Sequence, residues 1–143
     1  MNIYISNSVE ETKNFAKTFA SKLKNGDVVC FKGNLGAGKT QFVQGVANYF
    51  DIKENVISPT FNILLQYDAK DITLFHFDLY RLEEEEQLED IAFYETLESN
   101  GISFIEWSEK FPNALPDSYY EVNIEKMSDS SRKITVDIVN NLI

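Results

Sequence analysis

Gly33-Asn34-Leu35-Gly36-Ala37-Gly38-Lys39-Thr40 spells G-x-x-x-x-G-K-T, and no other stretch constrains the fold of this chain so strongly. Glycines let successive backbone N–H groups turn inward around phosphate oxygens, Lys39 adds a point charge, and the Thr40 hydroxyl suits Mg²⁺. The pattern carries weight only between a strand and a helix, and both neighbours fit. Asp27-Val28-Val29-Cys30-Phe31 is a short apolar, β-branched run of the kind buried on both sheet faces. From Gln41 to Phe50, the residues Phe42, Val43, Val46, Ala47 and Phe50 recur at helical spacing. The helix would point its free N–H groups and positive dipole end at a bound nucleoside triphosphate.

The chain has 143 residues, 43% of them hydrophobic, which is enough for one domain with a core and too few for two. No apolar run approaches the roughly 20 residues of a membrane span, and Met1-Asn2-Ile3-Tyr4-Ile5 has neither the length nor the basic flank of a signal peptide. A cytoplasmic protein without membrane association is expected. The single Cys30 is read as a small buried hydrophobe. Net charge is −10, from 23 acidic and 13 basic residues. So acidic a chain is a poor direct ligand for nucleic acid, because binding to the phosphate backbone depends on Lys and Arg.

A short strand is expected at Ile3 to Ser6. Ser8-x-x-Glu11 then opens a helix whose Phe15, Phe19 and Leu23 share a face and which Asn25-Gly26 closes. Thr60 to Tyr67 and Ile72 to Tyr80 read as a hairpin, and Leu82 to Leu97 as one acidic helix ended by Asn100-Gly101. Ile102 to Ile105 is a further strand, and Tyr119 to Ile124 with Lys133 to Val139 a second hairpin. The expected fold is α/β, with a mainly parallel sheet flanked by helices, antiparallel hairpin strands added, and the phosphate loop in one domain spanning residues 1–143.

Two strands end in acids, His76-Phe77-Asp78 and Phe104-Ile105-Glu106. Carboxylates at the carboxyl ends of strands stand at the sheet edge where open α/β folds bind ligands, so either can reach Mg²⁺ or its water. Strand alternation puts His76, Asp78 and Tyr80 on one face, so His76 can pair with Asp78, approach phosphate or serve structure alone. Ser58-Pro59-Thr60-Phe61 is either a turn started by Ser-Pro or a segment that senses the γ-phosphate.

The phosphate loop, then Ser58-Pro59-Thr60-Phe61, then His76-Phe77-Asp78-Leu79-Tyr80-Arg81, then Ile105-Glu106-Trp107 and Leu115-Pro116-Asp117 resemble, in content and order, the TsaE (YjeE) family. That resemblance implies a small bacterial ATPase required for threonylcarbamoyladenosine in tRNA, working with TsaB and TsaD, of which TsaD carries the transfer chemistry. It implies ATP and Mg²⁺ as cofactors and makes Lys39, Asp78 and Glu106 the catalytic set. Lys39 would meet the β/γ-phosphates, Thr40 and Glu106 would hold Mg²⁺, and Asp78 would order a water on the metal. Nucleotide contacts would come from Gly33, Asn34, Leu35, Gly36, Ala37, Gly38, Lys39, Thr40 and Gln41, with Thr60 in the switch-like segment, Trp107 beside the site and Arg132 from the last hairpin. Departures are Gln41, where many members repeat threonine, Ile91-Ala92 in place of a Leu-Gly pair, and Ser131-Arg132 in place of Gly-Arg.

Three functions compete at this point. One is an ATPase partner in tRNA modification, reaching tRNA only through other proteins. A small-molecule or nucleotide kinase is a second, although kinases clamp transition-state charge with several arginines and this chain has only Arg81 and Arg132. The third is a non-hydrolysing ATP-binding scaffold.

Overall fold

The computed structural model describes residues 2–33 and 38–141. Among these, seven strands form one sheet in the order β1-β7-β6-β2-β5-β4-β3. In chain order they are β1 (Asn2–Ser6), β2 (Val28–Lys32), β3 (Leu64–Asp68), β4 (Thr73–Asp78), β5 (Ile102–Glu106), β6 (Ser118–Lys126) and β7 (Arg132–Asn140). The neighbours β6, β2, β5 and β4 run parallel, while β3 at one margin and β7 with β1 at the other pair antiparallel. Parallel strands need crossovers that cover both faces, which is why β2 and β5 are buried nearly throughout.

Helices α1 (Val9–Ala20) and α2 (Lys39–Tyr49) cover one face. Ser8 caps α1: its Oγ accepts the Glu11 N–H at 3.0 Å, and the Glu11 carboxylate accepts the Asn7 N–H at 3.0 Å. Such a cap stabilises a helix by about 1 kcal/mol. The two helices touch at Gly45 of α2, where an added Cβ would collide with the Lys13 carbonyl oxygen and lie 2.8 Å from the Ala16 Cβ. Phe19, Phe31, Phe42 and Phe104 fill the core between these helices and the sheet.

The opposite face is covered by α3 (Gln87–Asp90), α4 (Phe93–Leu97) and 3₁₀ turns at Ser108–Lys110 and Pro112–Ala114, which pack Leu88, Phe93, Phe111 and Ala114 over Phe77 and Ile105. The single helix expected over Leu82 to Leu97 is therefore two short ones, broken at Ala92 with φ 53°. Leu82, Leu88 and Phe93 are all buried in one cluster. At about 100° per residue, Leu88 would lie more than about 120° round a straight helix from the other two. Only a broken path buries all three.

The strand expected from Thr60 also begins later, at Leu64. The Asn62 and Ile63 N–H groups both donate to the Pro59 carbonyl, at 2.9 and 2.8 Å, and Ile63 sits at φ 66°. The Ser-Pro turn displaces the first four residues from the ladder. Strand β4 stops at Asp78 rather than Tyr80, because the Tyr80 N–H turns back to the Asp78 Oδ1 at 3.0 Å. Cys30 is wholly buried, and that burial pushes its thiol up to about 12, as expected of an inert core thiol. No helix among the described residues is long and apolar enough to cross a membrane.

Candidate nucleotide site at the carboxyl edge of the sheet

The parallel register brings the site together. Strands β2, β5 and β4 end side by side, with Phe31 opposite Glu106 and Glu106 opposite Asp78. Residues paired across parallel strands share a face, so both carboxylates stand on the side covered by α2. Lys39 is the first residue of α2, next to the N-cap Gly38. Gly33, where the chain leaves β2, has φ 123°, and an added Cβ would collide with the Ile124 carbonyl oxygen of β6. Only glycine fits there. Asn34, Leu35, Gly36 and Ala37 lie outside the described residues.

Three buried polar side chains meet at the start of α2. Lys39 Nζ stands 4.0 Å from Glu106 Oε1, and His76 Nε2 is 2.7 Å from Glu106 Oε2. His76 is fully buried, and Lys39 and Glu106 nearly so. The sequence left His76 to pair with Asp78, approach phosphate or serve structure alone; its hydrogen-bond partner is Glu106 on the next strand. Sequence reasoning missed this pair. Aligning His76-Phe77-Asp78 with Phe104-Ile105-Glu106 as parallel neighbours would have found it, since the acids then face each other and His76 lies one step back on the same face.

Asp78 belongs to a different network. Its Oδ2 accepts the Thr60 hydroxyl at 3.0 Å, and Thr60 Oγ1 and Ser58 Oγ lie 2.8 Å apart. Thr60 is thus tied to a strand-end acid while Phe61 beside it is 80% exposed. The Arg81 guanidinium rides over the Phe61 ring at 4.7 Å. Trp107, half-buried at φ 63°, packs edge-on against Tyr80 at 4.9 Å and against the core of the α3–α4 face.

On the other side of Gly38 a cavity of about 310 Å³ opens, lined by Asn7, Ser8, Thr12, Gln41 and Arg132 among others. Arg132 comes within 3.9 Å of where a Gly38 Cβ would stand, while its guanidinium donates to the Ser128 and Ser131 carbonyls of its own hairpin turn. Gln41 and Arg132 therefore stand beside Gly38, and Thr40, the second residue of α2, is half-buried. Asn7 and Thr12 carry no signal in the sequence, because nothing in the residues around a capping box marks them as cavity walls.

The donor set can be tested against Mg²⁺. The described residues hold no cluster of three or more His, Cys, Asp or Glu able to cage a metal by themselves. One or two carboxylates and a hydroxyl at a phosphate loop are instead what Mg²⁺ takes when phosphate oxygens and water complete its shell. Glu106, Asp78 and Thr40 fit that chemistry.

The family model for threonylcarbamoyl adenosine biosynthesis protein TsaE matches residues 6–134. The chain belongs to the TsaE family. TsaE relatives include the tRNA threonylcarbamoyladenosine biosynthesis protein of Rickettsia bellii, 43% identical with 90% of this chain and 89% of the relative covered. That of Bacillus subtilis is 39% identical over 92% of this chain and 82% of its own length, and that of Treponema pallidum 36% identical over 92% and 97%. The crystal structure of Bacillus subtilis YdiB superposes with a TM-score of 0.80 at 30% identity, covering 98% of this chain and 86% of that one. A TsaE role in tRNA threonylcarbamoyladenosine biosynthesis follows from these matches, and the seven-stranded α/β sheet agrees with the expected fold.

Proposed function

We propose that this TsaE-family chain binds ATP with Mg²⁺ and hydrolyses it slowly until TsaB and TsaD engage it, and that it reaches tRNA only through them. The observation that carries the reading is the approach of Lys39, at the start of α2, to Glu106, whose register partner on the next strand is a second acid, Asp78. A bound Mg²⁺ would offset charge on the phosphate oxygens. Lys39 supplies the fixed cation for the β/γ-phosphates, and Thr40 and Glu106 offer the oxygen ligands. Asp78 would orient a water on the metal shell. The nucleoside would enter the cavity of about 310 Å³ beside Gly38, which has Arg132 and Gln41 on its wall.

Dependence on partners follows from charge and from the exposed segment. Arg81 rests on Phe61 and Arg132 on its own hairpin turn. They are the two arginines of the sequence, so transition-state charge would be stabilised by something brought in or by reordering of Ser58 to Phe61. The net charge of −10 argues against a direct grip on RNA. Phosphate release measured alone and with TsaB and TsaD, beside a gel-shift with tRNA alone, tests the proposal. Acceleration by the partners and no shift with tRNA are expected. Fast hydrolysis indifferent to the partners, or tight binding of bare tRNA, would overturn it.

A further inference from the structure

We propose that His76 is a positioning residue that holds one oxygen of Glu106 so that the other faces Lys39 at the start of α2, an assignment that rests on the ATP and Mg²⁺ reading above. A carboxylate can only accept, so at 2.7 Å the imidazole donates from Nε2. Such charge-assisted bonds are short and strong. His76 Nδ1 is buried without a partner among the described residues, so the Glu106 contact is the ring's hydrogen bond there. Phe31 and Phe104 pack at ring-centroid distances of 6.3 and 6.4 Å from the imidazole and are stacked on each other at 5.8 Å, which prevents the ring from turning away.

The consequence is a division of labour between the two oxygens of Glu106. Oε2 is held by the core, and Oε1 stands 4.0 Å from Lys39, at the outer limit of an ion pair. Without His76 nothing described would keep the Glu106 carboxylate from turning wholly toward Lys39. The buried cation and the anion would then neutralise each other, Lys39 would be withdrawn from phosphate, and Glu106 from the metal. His76 keeps both charges separately available, although its ring touches neither ligand.

The chain has one histidine, so its imidazole gives a single set of nitrogen resonances. In the nucleotide-free protein, ¹⁵N spectra are expected to show the Nε2–H tautomer with a slowly exchanging proton, and Glu106→Ala to abolish that protection. A proton on Nδ1, or rapid exchange of Nε2–H, would overturn the pair without reference to ATP. The second arm titrates Mg²⁺ at saturating non-hydrolysable ATP analogue, following binding by calorimetry. His76→Leu should raise the Mg²⁺ midpoint at least fivefold. His76→Gln, whose amide nitrogen is the same number of bonds from the backbone as Nε2, should recover most of it, and the shorter His76→Asn should not. An unchanged midpoint in His76→Leu, or equal loss in the Leu and Gln variants, would mark a packing role and overturn the assignment. Failure of the unaltered chain to bind the analogue would remove the nucleotide reading, and the role with it, while the spectra still decided the pair.

Discussion

Asp78 and Glu106 are register partners on adjacent strands, yet they answer to different parts of the molecule. Glu106 is wired inward, to a fully buried histidine and the first lysine of α2. Asp78 is wired outward, to a hydroxyl on a turn whose next residue is an exposed phenylalanine. The same residue class at the same level of one sheet thus has two tasks, decided by its neighbours: Lys39 after β2 and His76 on β4 for Glu106, and Thr60 before β3 for Asp78. A partner protein pressing on Phe61 would reach the site through Asp78, whereas a nucleotide entering the loop would be felt first by Glu106.

The largest effect should come from the residue on which the inward network depends. Lys39→Ala removes the cation proposed to face the β/γ-phosphates and takes from Glu106 its ion-pair neighbour. ATP affinity or turnover is expected to fall at least tenfold, about 1.4 kcal/mol. Calorimetry and phosphate release measure it, with melting curves alongside because a buried carboxylate loses a neighbour. Unchanged binding would dissolve the distinction between the two networks. Next, Glu106→Ala should weaken the Mg²⁺ dependence of nucleotide binding severalfold more than Asp78→Ala, since a ligand held to the metal directly costs more to lose than one acting through water. Superimposable Mg²⁺ titrations of the two variants would mean that the inward and outward wiring makes no chemical difference.

How much of this was readable beforehand depended on whether a signal was local. The strand before the phosphate loop, the α1 capping box and both hairpins announce themselves within a few residues, and the structure has them there, the first hairpin with shorter strands than expected. Asp78 and Glu106 were legible because each closes an apolar strand. Their unlike partners were not, since Thr60 is 18 residues and His76 30 residues away from the acid it binds, and only the register of β4 on β5 makes the second pair visible. The segment from Leu82 to Leu97 misled for a related reason. Its acidic, leucine-containing composition favours a helix locally, but three buried side chains must enter one cluster from positions that no straight helix brings onto one face. Tertiary burial outweighs propensity there. The cavity beside Gly38 draws its walls from three separate stretches of chain, and no one of them signals a cavity by itself.

The smallest effect separates the networks most finely. Thr60→Val keeps the shape of the side chain and removes the hydroxyl that links Asp78 to the exposed turn. One partly buried hydrogen bond to a charged group contributes roughly 1.5–3 kcal/mol at most, and less where water can replace the lost donor, so the fold should survive. Glu106 is not touched by the change, and ATP affinity and the Mg²⁺ midpoint should stay within about twofold, the size of a difference below 0.5 kcal/mol. What should fall is the acceleration of phosphate release by TsaB and TsaD, because the segment through which a partner would act no longer grips the acid. If Thr60→Val instead weakened Mg²⁺ binding as much as Glu106→Ala, the two acids would be one coupled unit, and Asp78 would answer to the nucleotide as directly as its neighbour does.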